Sequence, residues 1–223
     1  MAAEANPIAS VDATASLVTI QSPIPTGPWT LYFHPMEESK WTLNTFKKIG
    51  TMVTWNHFWA IMDAVGVESF ADGMFFLMRD PSPPLWESHY HIRGGCYSFR
   101  CNKKNVPDTF LDYVIASMIN CASTNPENYI NGLSISPKRG FNIIKVWNSD
   151  STKFNSPSDV NCTLNSVQAS EILYTPFVQK KMYWTFNKSS AKLGYLVPKA
   201  RDLLCAFDKS APKLSYAPSA HLL

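Results

Sequence analysis

The sequence lacks the cysteine patterns of disulfide-stapled and zinc-binding proteins. The chain has an odd number of cysteines and no Cys-x-x-Cys pair, so neither a disulfide framework nor a structural zinc site is indicated. The five cysteines are Cys96, Cys101, Cys121, Cys162 and Cys205. This pattern favours a reducing compartment.

Long uncharged apolar runs and a basic leader are also missing, so neither secretion nor a membrane span is expected. The expected location is the cytoplasm, with the nucleus as an alternative. A net charge of +3 is too small for a general nucleic-acid binder, which normally carries a strong basic stripe. Any contact with phosphate must therefore be local.

No motif for an acid/base pair, a metal cluster or an activated nucleophile occurs in the chain. The only histidine pair, His89-x-His91, has no carboxylate at ligand spacing and is more typical of a polar loop than of a metal site. We therefore expect a non-enzymatic binding protein without a cofactor or metal.

The chain is long and apolar enough to bury one sizeable core, with 223 residues of which 45% are hydrophobic. Residues 1–27 are rich in Ala, Ser, Thr and Pro and are predicted to form a flexible arm, whose last part could lie extended on the domain. Residues 28–223 are predicted to form a single domain, less regular from about residue 188.

Strands and well-separated helices alternate along the predicted domain. Strands are predicted at residues 29–33, 74–78, 95–100, 129–136, 141–147 and 182–186. Helices are predicted from Thr54 to Gly66, from Pro107 and from Ser156. This order favours an α+β fold in which helices cover one face of a mostly antiparallel sheet and leave the other face free to bind.

Two tryptophans occupy loop positions that suit a ligand. Trp86 and Glu87 follow Pro83-Pro84, which keep the segment extended, and Trp41 follows a polar loop. An indole face attracts a cationic ring and a carboxylate accepts two N–H donors, a combination that suits guanine methylated at N7. Alternatively, Trp86 is a core residue and Glu87 is simply solvated.

The first predicted helix carries two further indoles on the flank of its apolar stripe. Trp55 and Trp59 lie one turn apart, beside the stripe formed by Phe58, Ile61, Met62 and Val65. They are predicted to form a surface for a partner, or alternatively to cover a sheet edge.

The predicted hairpin at residues 137–140 carries Lys138 and Arg139 in its turn. In the strand that follows, Lys145 and Trp147 point to the same face if no bulge intervenes. The hairpin is thus a candidate site for phosphate.

The spacing of these residues resembles the eukaryotic translation initiation factor 4E family, which binds the 5′ cap of messenger RNA. The resemblance runs from about Ser22 to Phe186. It rests on Trp29, Trp41, Phe58-Trp59, Trp86-Glu87, Arg93-Gly94-Gly95 and Trp147.

The resemblance implies a curved, mostly antiparallel sheet of about eight strands, backed by three helices on its convex face, with the cap slot on the concave face. It implies that Trp41 and Trp86 sandwich the 7-methylguanine of capped mRNA. Glu87 would hold the N1 and N2 donors of the base, and Trp147 would lie near the methyl group.

Basic residues around the hairpin would then contact the triphosphate. The alignment of the hairpin is ambiguous by one residue, which leaves the choice among Lys138, Arg139 and Lys145 open. Cys96 stands where animal members usually have a basic residue, so one phosphate contact is expected to be missing.

On the convex face, the position of Trp59 is where the translation scaffold subunit (initiation factor 4G type) and 4E-binding regulatory proteins dock in this family. The expected partner surface comprises Trp59, Trp55, Pro23, Ile24 and Leu111, and the protein is expected to be a monomer. The competing interpretation is a reader of methyl-lysine, which uses similar aromatic cages but needs no cations across the slot.

Overall fold

The computed structural model describes residues 19–164 and 167–178. These residues belong to the first of two compact units of the chain, Met1–Val178. The strands are β1 Trp29–Phe33, β2 Lys47–Met52, β3 Phe75–Arg79, β4 Gly95–Asn102, β5 Ile130–Pro137, β6 Phe141–Asn148 and β7 Leu173–Pro176. The α-helices are α1 Trp55–Val65 and α2 Val106–Met118.

The strands form one curved, open sheet in the order β2-β1-β3-β5-β6-β4-β7. Every neighbouring pair is antiparallel. The predicted α+β class and antiparallel sheet are therefore confirmed, with seven strands and two α-helices in the described part of the chain. The predicted strand at residues 182–186 and the irregular segment from about 188 lie outside the described residues.

The two faces of the sheet carry different cores because successive side chains of a strand point to opposite sides. On one side, Leu31, Leu77 and Val146 pack with α1 and α2 in the main core; we call this side the helix face. On the other side, Phe76 and Trp147 belong to a separate apolar cluster; we call this side the aromatic face.

Helix α1 begins and ends where its local chemistry predicts. The Oγ1 of Thr54 accepts a hydrogen bond from the backbone N–H of His57 at the first turn. Gly66 follows the last residue with a φ of 70°, which a glycine adopts without steric cost. Of the predicted apolar stripe, Phe58 and Met62 are buried, and Ile61 and Val65 are half-buried against the main core.

The third predicted helix is wrong. Ser156 and Asp159 do form the expected capping box, but only the short 3-10 turn Pro157–Asp159 follows it. Val160 is extended and pairs with Ser123, and the N–H of Asn161 donates to the carbonyl of Ala122. These nonlocal hydrogen bonds take the backbone groups that a helix would have used.

The segment before β1 packs on the domain, as the sequence allows for the last part of the predicted arm. The N–H of Ile24 donates to the carbonyl of Val53 at 2.9 Å, and Pro23 forms a bridge with Thr54. Ile24 is 3% exposed and lies in the main core. Residues 1–18 of the predicted arm lie outside the described part of the chain.

Candidate functional site

The aromatic face carries the residues that the sequence nominates for binding. Its buried apolar cluster contains four aromatic rings, and we call this cluster the aromatic floor. Trp86 packs against the floor. The buried members are Phe46, Phe76, Met78, Cys96, Trp147 and Phe177. Because the helices cover the opposite face of the sheet, this floor is positioned to receive a flat ligand.

Trp41 is exposed on the loop between β1 and β2, with 49% of its surface accessible. Its indole lies edge-on to Phe46 and Phe76, with ring centroids 6.0 and 6.3 Å apart. One face of the indole is stacked on His34, with centroids 4.2 Å apart and planes 2° apart. The loop thus presents Trp41 as one wall of the site.

His34 is itself fixed from below. Its ring is fully buried, and its Nε2 lies 3.1 Å from the carbonyl oxygen of Lys40. Since a carbonyl oxygen only accepts, Nε2 carries the proton and donates this hydrogen bond. Its Nδ1 is buried without a partner among the described residues.

Trp86 lies on the segment between β3 and β4 and forms the opposite wall. It is half-buried, and its ring centroid is 6.3 Å from that of Phe177. The segment is held from beneath by His91, whose Nε2 donates to the carbonyl of Pro83 at 2.9 Å. The side chain of Glu87, next in sequence, is exposed.

A continuous series of ring contacts joins the two walls. Trp41 contacts Phe76, Phe76 lies perpendicular to Trp147 at 6.2 Å, and Trp147 contacts Phe177 at 5.2 Å. Phe177 then contacts Trp86. The exposed indole of Trp41 and the half-buried indole of Trp86 therefore stand at opposite ends of one aromatic floor.

Trp147 forms part of that floor and is not an exposed wall. Only 5% of its surface is accessible, and its Nε1–H donates to Ser134 Oγ at 3.0 Å inside the protein. The structure thus brings Trp147 into the predicted site. Only a small part of the ring is left for contact with a ligand.

Strand register decides which cations lie near this floor. Trp147 pairs with Cys96 on β4, Lys145 pairs with Ser98, and Ile143 pairs with Arg100. Residues two apart on a strand share a face and lie about 7 Å apart. Lys145 is therefore the first cation from Trp147 on the same face, as the alternation in β6 predicts.

The hairpin cations lie further away. Lys138 N–H donates to the carbonyl of Phe141 at 2.8 Å, closing the turn that also holds the exposed Arg139. Phe141 is six residues from Trp147 along β6, which corresponds to about 20 Å. The structure therefore separates the three predicted phosphate contacts into Lys145 near the floor and Lys138 with Arg139 at the far end of the hairpin.

Gly94 and Gly95 are required by packing. A Cβ on Gly94 would overlap the carbonyl oxygen of Asn148, and one on Gly95 would overlap the hydroxyl of Tyr174. Asn148 is fully buried, and its Oδ1 accepts hydrogen bonds from Gly95 N–H and the Tyr174 hydroxyl, both at 3.0 Å. The Arg-Gly-Gly motif thus lets β4 close against β6 and β7 beside the aromatic floor.

The pKa of His91 is shifted by burial. The ring is fully buried and perpendicular to Trp147, and desolvation lowers the pKa of His91 below its ordinary value. Its Nδ1 has no partner among the described residues, so a second ring proton would find no acceptor there. The neutral ring is the form that this site accommodates.

The predicted partner surface on the helix face divides into exposed and buried members. Trp59 is 44% exposed on α1, and Pro23 is exposed. Trp55 and Leu111 are only half-buried and pack against the main core. Ile24 is buried, so its side chain cannot contribute to an exposed surface.

The site also contains residues that the sequence-based prediction did not assign to it, namely His34 and the floor residues Phe46, Phe76, Met78 and Phe177. Phe177 and His34 are packed on the aromatic face through nonlocal contacts, for which the local sequence holds no signal. Arg100 shares a face with Cys96, because the two residues are four apart on β4.

Within residues 19–164 and 167–178, no group of three or more His, Cys, Asp or Glu side chains is placed to hold a metal ion. None of the helices described is long and apolar enough to cross a membrane.

The fold and the site define an α+β protein with an antiparallel sheet, helices on one of its faces and an aromatic floor between the indoles of Trp41 and Trp86 on the other. The sequence model of one family, eukaryotic initiation factor 4E, matches residues 26–194 of this chain. The chain belongs to the eukaryotic initiation factor 4E family.

Solved structures of nematode proteins share the fold. The chain is similar to Caenorhabditis elegans eIF4E-3 in complex with the 4E-binding protein Mextli and a cap analog, with a TM-score of 0.61 and 16% identity. That match covers 72% of this chain and 95% of the other. Ascaris suum eIF4E-3 with an m2,2,7G cap matches with a TM-score of 0.58 and 19% identity, over 70% of this chain and 91% of that one.

The same Ascaris suum protein with an m7G cap matches with a TM-score of 0.52 and 19% identity, covering 60% of this chain and 76% of that chain. At these identities the similarity concerns the fold.

Proposed function

We propose that this protein binds the 7-methylguanosine 5′ cap of messenger RNA and acts in translation initiation without being an enzyme. The observation that carries the proposal is the pair of indoles at the two ends of one aromatic floor, with Trp41 exposed, Trp86 half-buried and Glu87 next to Trp86 in sequence. Membership in the initiation factor 4E family and the cap-bound structures of similar fold support it.

In this proposal the methylated base stacks between Trp41 and Trp86. Methylation at N7 makes the ring cationic, and a cation is attracted to the negative face of an indole. Glu87 accepts hydrogen bonds from the N1–H and N2–H groups of guanine, and an ionised acceptor makes these bonds stronger than neutral ones. Trp147 contributes the small accessible part of its side chain near the methyl group.

The phosphates would be bound by the cations that share the aromatic face. Lys145 is the nearest to the floor, while Lys138 and Arg139 would contact the more distant part of the ligand. Lysine donates as a compact charge and suits such contacts. A reader of methyl-lysine would gain nothing from these cations, so their position favours a ligand that carries phosphate.

The helix face would bind translation partners. Trp59 is exposed on α1, and tryptophan is enriched among the residues that dominate protein–protein interfaces. The proposed partners are a scaffold subunit of the initiation factor 4G type and 4E-binding regulatory proteins, bound to a monomer in the cytoplasm or nucleus. The Caenorhabditis elegans neighbour was solved with such a 4E-binding protein.

The experiment that tests the assignment uses Glu87→Gln, with Glu37→Gln as a matched control on the Trp41 loop. Loss of a charged acceptor is expected to weaken binding of 7-methyl-GTP by about 1.5 to 3 kcal/mol. Glu37→Gln should bind as the wild type does. If both variants bind 7-methyl-GTP equally and keep the preference for guanine over other methylated purines, Glu87 does not read the base.

A further inference from the structure

We propose that Arg100 is a phosphate-binding residue on the aromatic face, a role that rests on the proposed cap-binding function. Its ligand is a phosphate group of the capped RNA, either in the polyphosphate bridge or in the nucleotides that follow the cap. Both sources present the same chemistry, a non-bridging oxygen pair that a guanidinium binds in bidentate fashion.

The register of β4 places Arg100 on the aromatic face of the sheet. Arg100 pairs with Ile143, and Cys96, four residues before it, pairs with Trp147. Residues four apart on a strand share a face, and their separation is about 13 Å. The side chain of Arg100 thus lies on the aromatic face. It is two residues further along β4 than Ser98, the residue that pairs with Lys145.

Arg100 is the first cation on this side of β4. Cys96 is buried, with its sulfur 3.6 Å from the hydroxyl of Ser98, and neither residue carries a charge that could hold a phosphate. Lys145 pairs with Ser98 on the neighbouring strand. A polyanion that leaves the aromatic floor past Lys145 therefore meets Arg100 next, before it reaches the hairpin turn.

The guanidinium of Arg100 is held in place by an aromatic ring. Its Cζ lies 4.9 Å from the centroid of Phe141, the first residue of β6. Arg100 is exposed and makes no ion pair with any described residue. Stacking on a ring restrains the planar group while its edge N–H donors stay available, so little side-chain freedom remains to be lost on binding.

The charge of the sheet favours an anion as well. The seven strands contain no Asp or Glu, and they contain five basic residues, although the chain as a whole has a net charge of only +3. The basic residues are Lys47, Lys48, Arg79, Arg100 and Lys145. No carboxylate on a strand therefore competes with a phosphate for Arg100.

The test compares wild type, Arg100→Gln, Arg100→Lys and the matched charge control Lys104→Gln, which removes a cation just after β4. Each protein is titrated with 7-methyl-GMP, 7-methyl-GTP and a short capped RNA at two salt concentrations, and wild type is also titrated with GTP. Arg100→Gln should bind 7-methyl-GMP normally and lose about five- to twentyfold in affinity for a longer ligand. The slope of log affinity against log salt should fall by about one.

The ligands distinguish the two phosphate sources. A loss already present with 7-methyl-GTP assigns Arg100 to the polyphosphate bridge, and a loss confined to capped RNA assigns it to the following nucleotides. Arg100→Lys should recover only part of the affinity, since lysine lacks the planar fork. Normal binding of 7-methyl-GMP verifies that the variants are folded.

Two results would contradict the proposal in different ways. If Arg100→Gln matches Lys104→Gln for all three ligands while wild type keeps its preference for methylated guanine, the role of Arg100 is wrong and cap binding stands. If wild type binds methylated and unmethylated nucleotides equally, the cap-binding function is wrong and the role of Arg100 falls with it.

Discussion

The imidazole of His34 lies parallel to the indole of Trp41, with ring centroids 4.2 Å apart and planes 2° apart. His34 is fully buried, whereas Trp41 is 49% exposed. The buried ring therefore covers one face of the indole and fixes its orientation, and the exposed side remains for the ligand. Trp41 is held as a wall even though it lies on a loop.

Removing this support should weaken binding of the methylated base. His34→Ala is expected to lower the affinity for 7-methyl-GTP, because stacked aromatic pairs contribute about 0.5 to 1.5 kcal/mol beyond buried area. His34→Phe retains a ring and should bind better than His34→Ala. Isothermal titration calorimetry with 7-methyl-GTP measures the affinities of both variants. Equal affinities for the two variants would show that the ring does not position Trp41.

Lys145 should matter more for phosphate than the hairpin turn does. Lys145→Gln is expected to reduce the gain in affinity between 7-methyl-GMP and 7-methyl-GTP, because this cation lies one step from Trp147 on the same face. The double variant Lys138→Gln/Arg139→Gln removes more charge about 20 Å away and should affect this gain less. If the double variant instead reduced this gain more than Lys145→Gln does, the triphosphate would lie at the hairpin turn.

Trp59 and Trp55 should respond differently to truncation. Trp59→Ala removes an exposed side chain, so it should abolish retention of a 4E-binding protein while the melting temperature and cap-resin binding persist. Trp55→Ala opens space against the main core and should lower the melting temperature. Loss of cap binding in Trp59→Ala, together with a lowered melting temperature, would show that Trp59 is structural.

His91 should make the fold less stable in mild acid. Burial lowers the pKa of His91 in the folded state below the unfolded value of about 6.5. As the pH falls below about 6.5, His91 binds a proton in the unfolded chain but stays neutral in the folded chain. The stability contributed by the neutral ring is therefore present above this pH and is lost as the pH falls toward the lower, folded-state pKa.

Thermal melts between pH 7.5 and 5 measure this effect. Wild type and His89→Gln, which alters an exposed neighbouring histidine, should lose more stability on acidification than His91→Gln. An identical pH profile for His91→Gln and wild type would show that His91 is not the group responsible.

Local chemistry allowed some elements of the fold to be predicted closely. Thr54 and Gly66 set the ends of α1 through a side-chain cap and a positive φ, both of which depend on residues next to the helix. The apolar residues of β1 gave that strand its correct bounds. Alternation in β6 placed Lys145 and Trp147 on one face, as the register confirms.

Other features depend on contacts between distant residues. Val160 has a helical pattern around it, yet its pairing with Ser123 draws the chain into an extended path. Strand β2 begins with Lys47-Lys48 on the sheet edge, where polar residues are tolerated and hydrophobic alternation is lost. His34 could not be predicted as a support for Trp41 because its position depends on how the intervening loop folds.

The central claim is that a methylated guanine stacks between Trp41 and Trp86, and the titration of tryptophan fluorescence with 7-methyl-GTP and with GTP tests it most directly. Wild type should show strong quenching and tight binding with 7-methyl-GTP and much weaker binding with GTP. Trp41→Ala and Trp86→Ala should each lose about 1 to 3 kcal/mol of binding free energy. Equal binding of the two nucleotides by wild type, or unchanged affinity in a folded Trp41→Ala protein, would contradict the account.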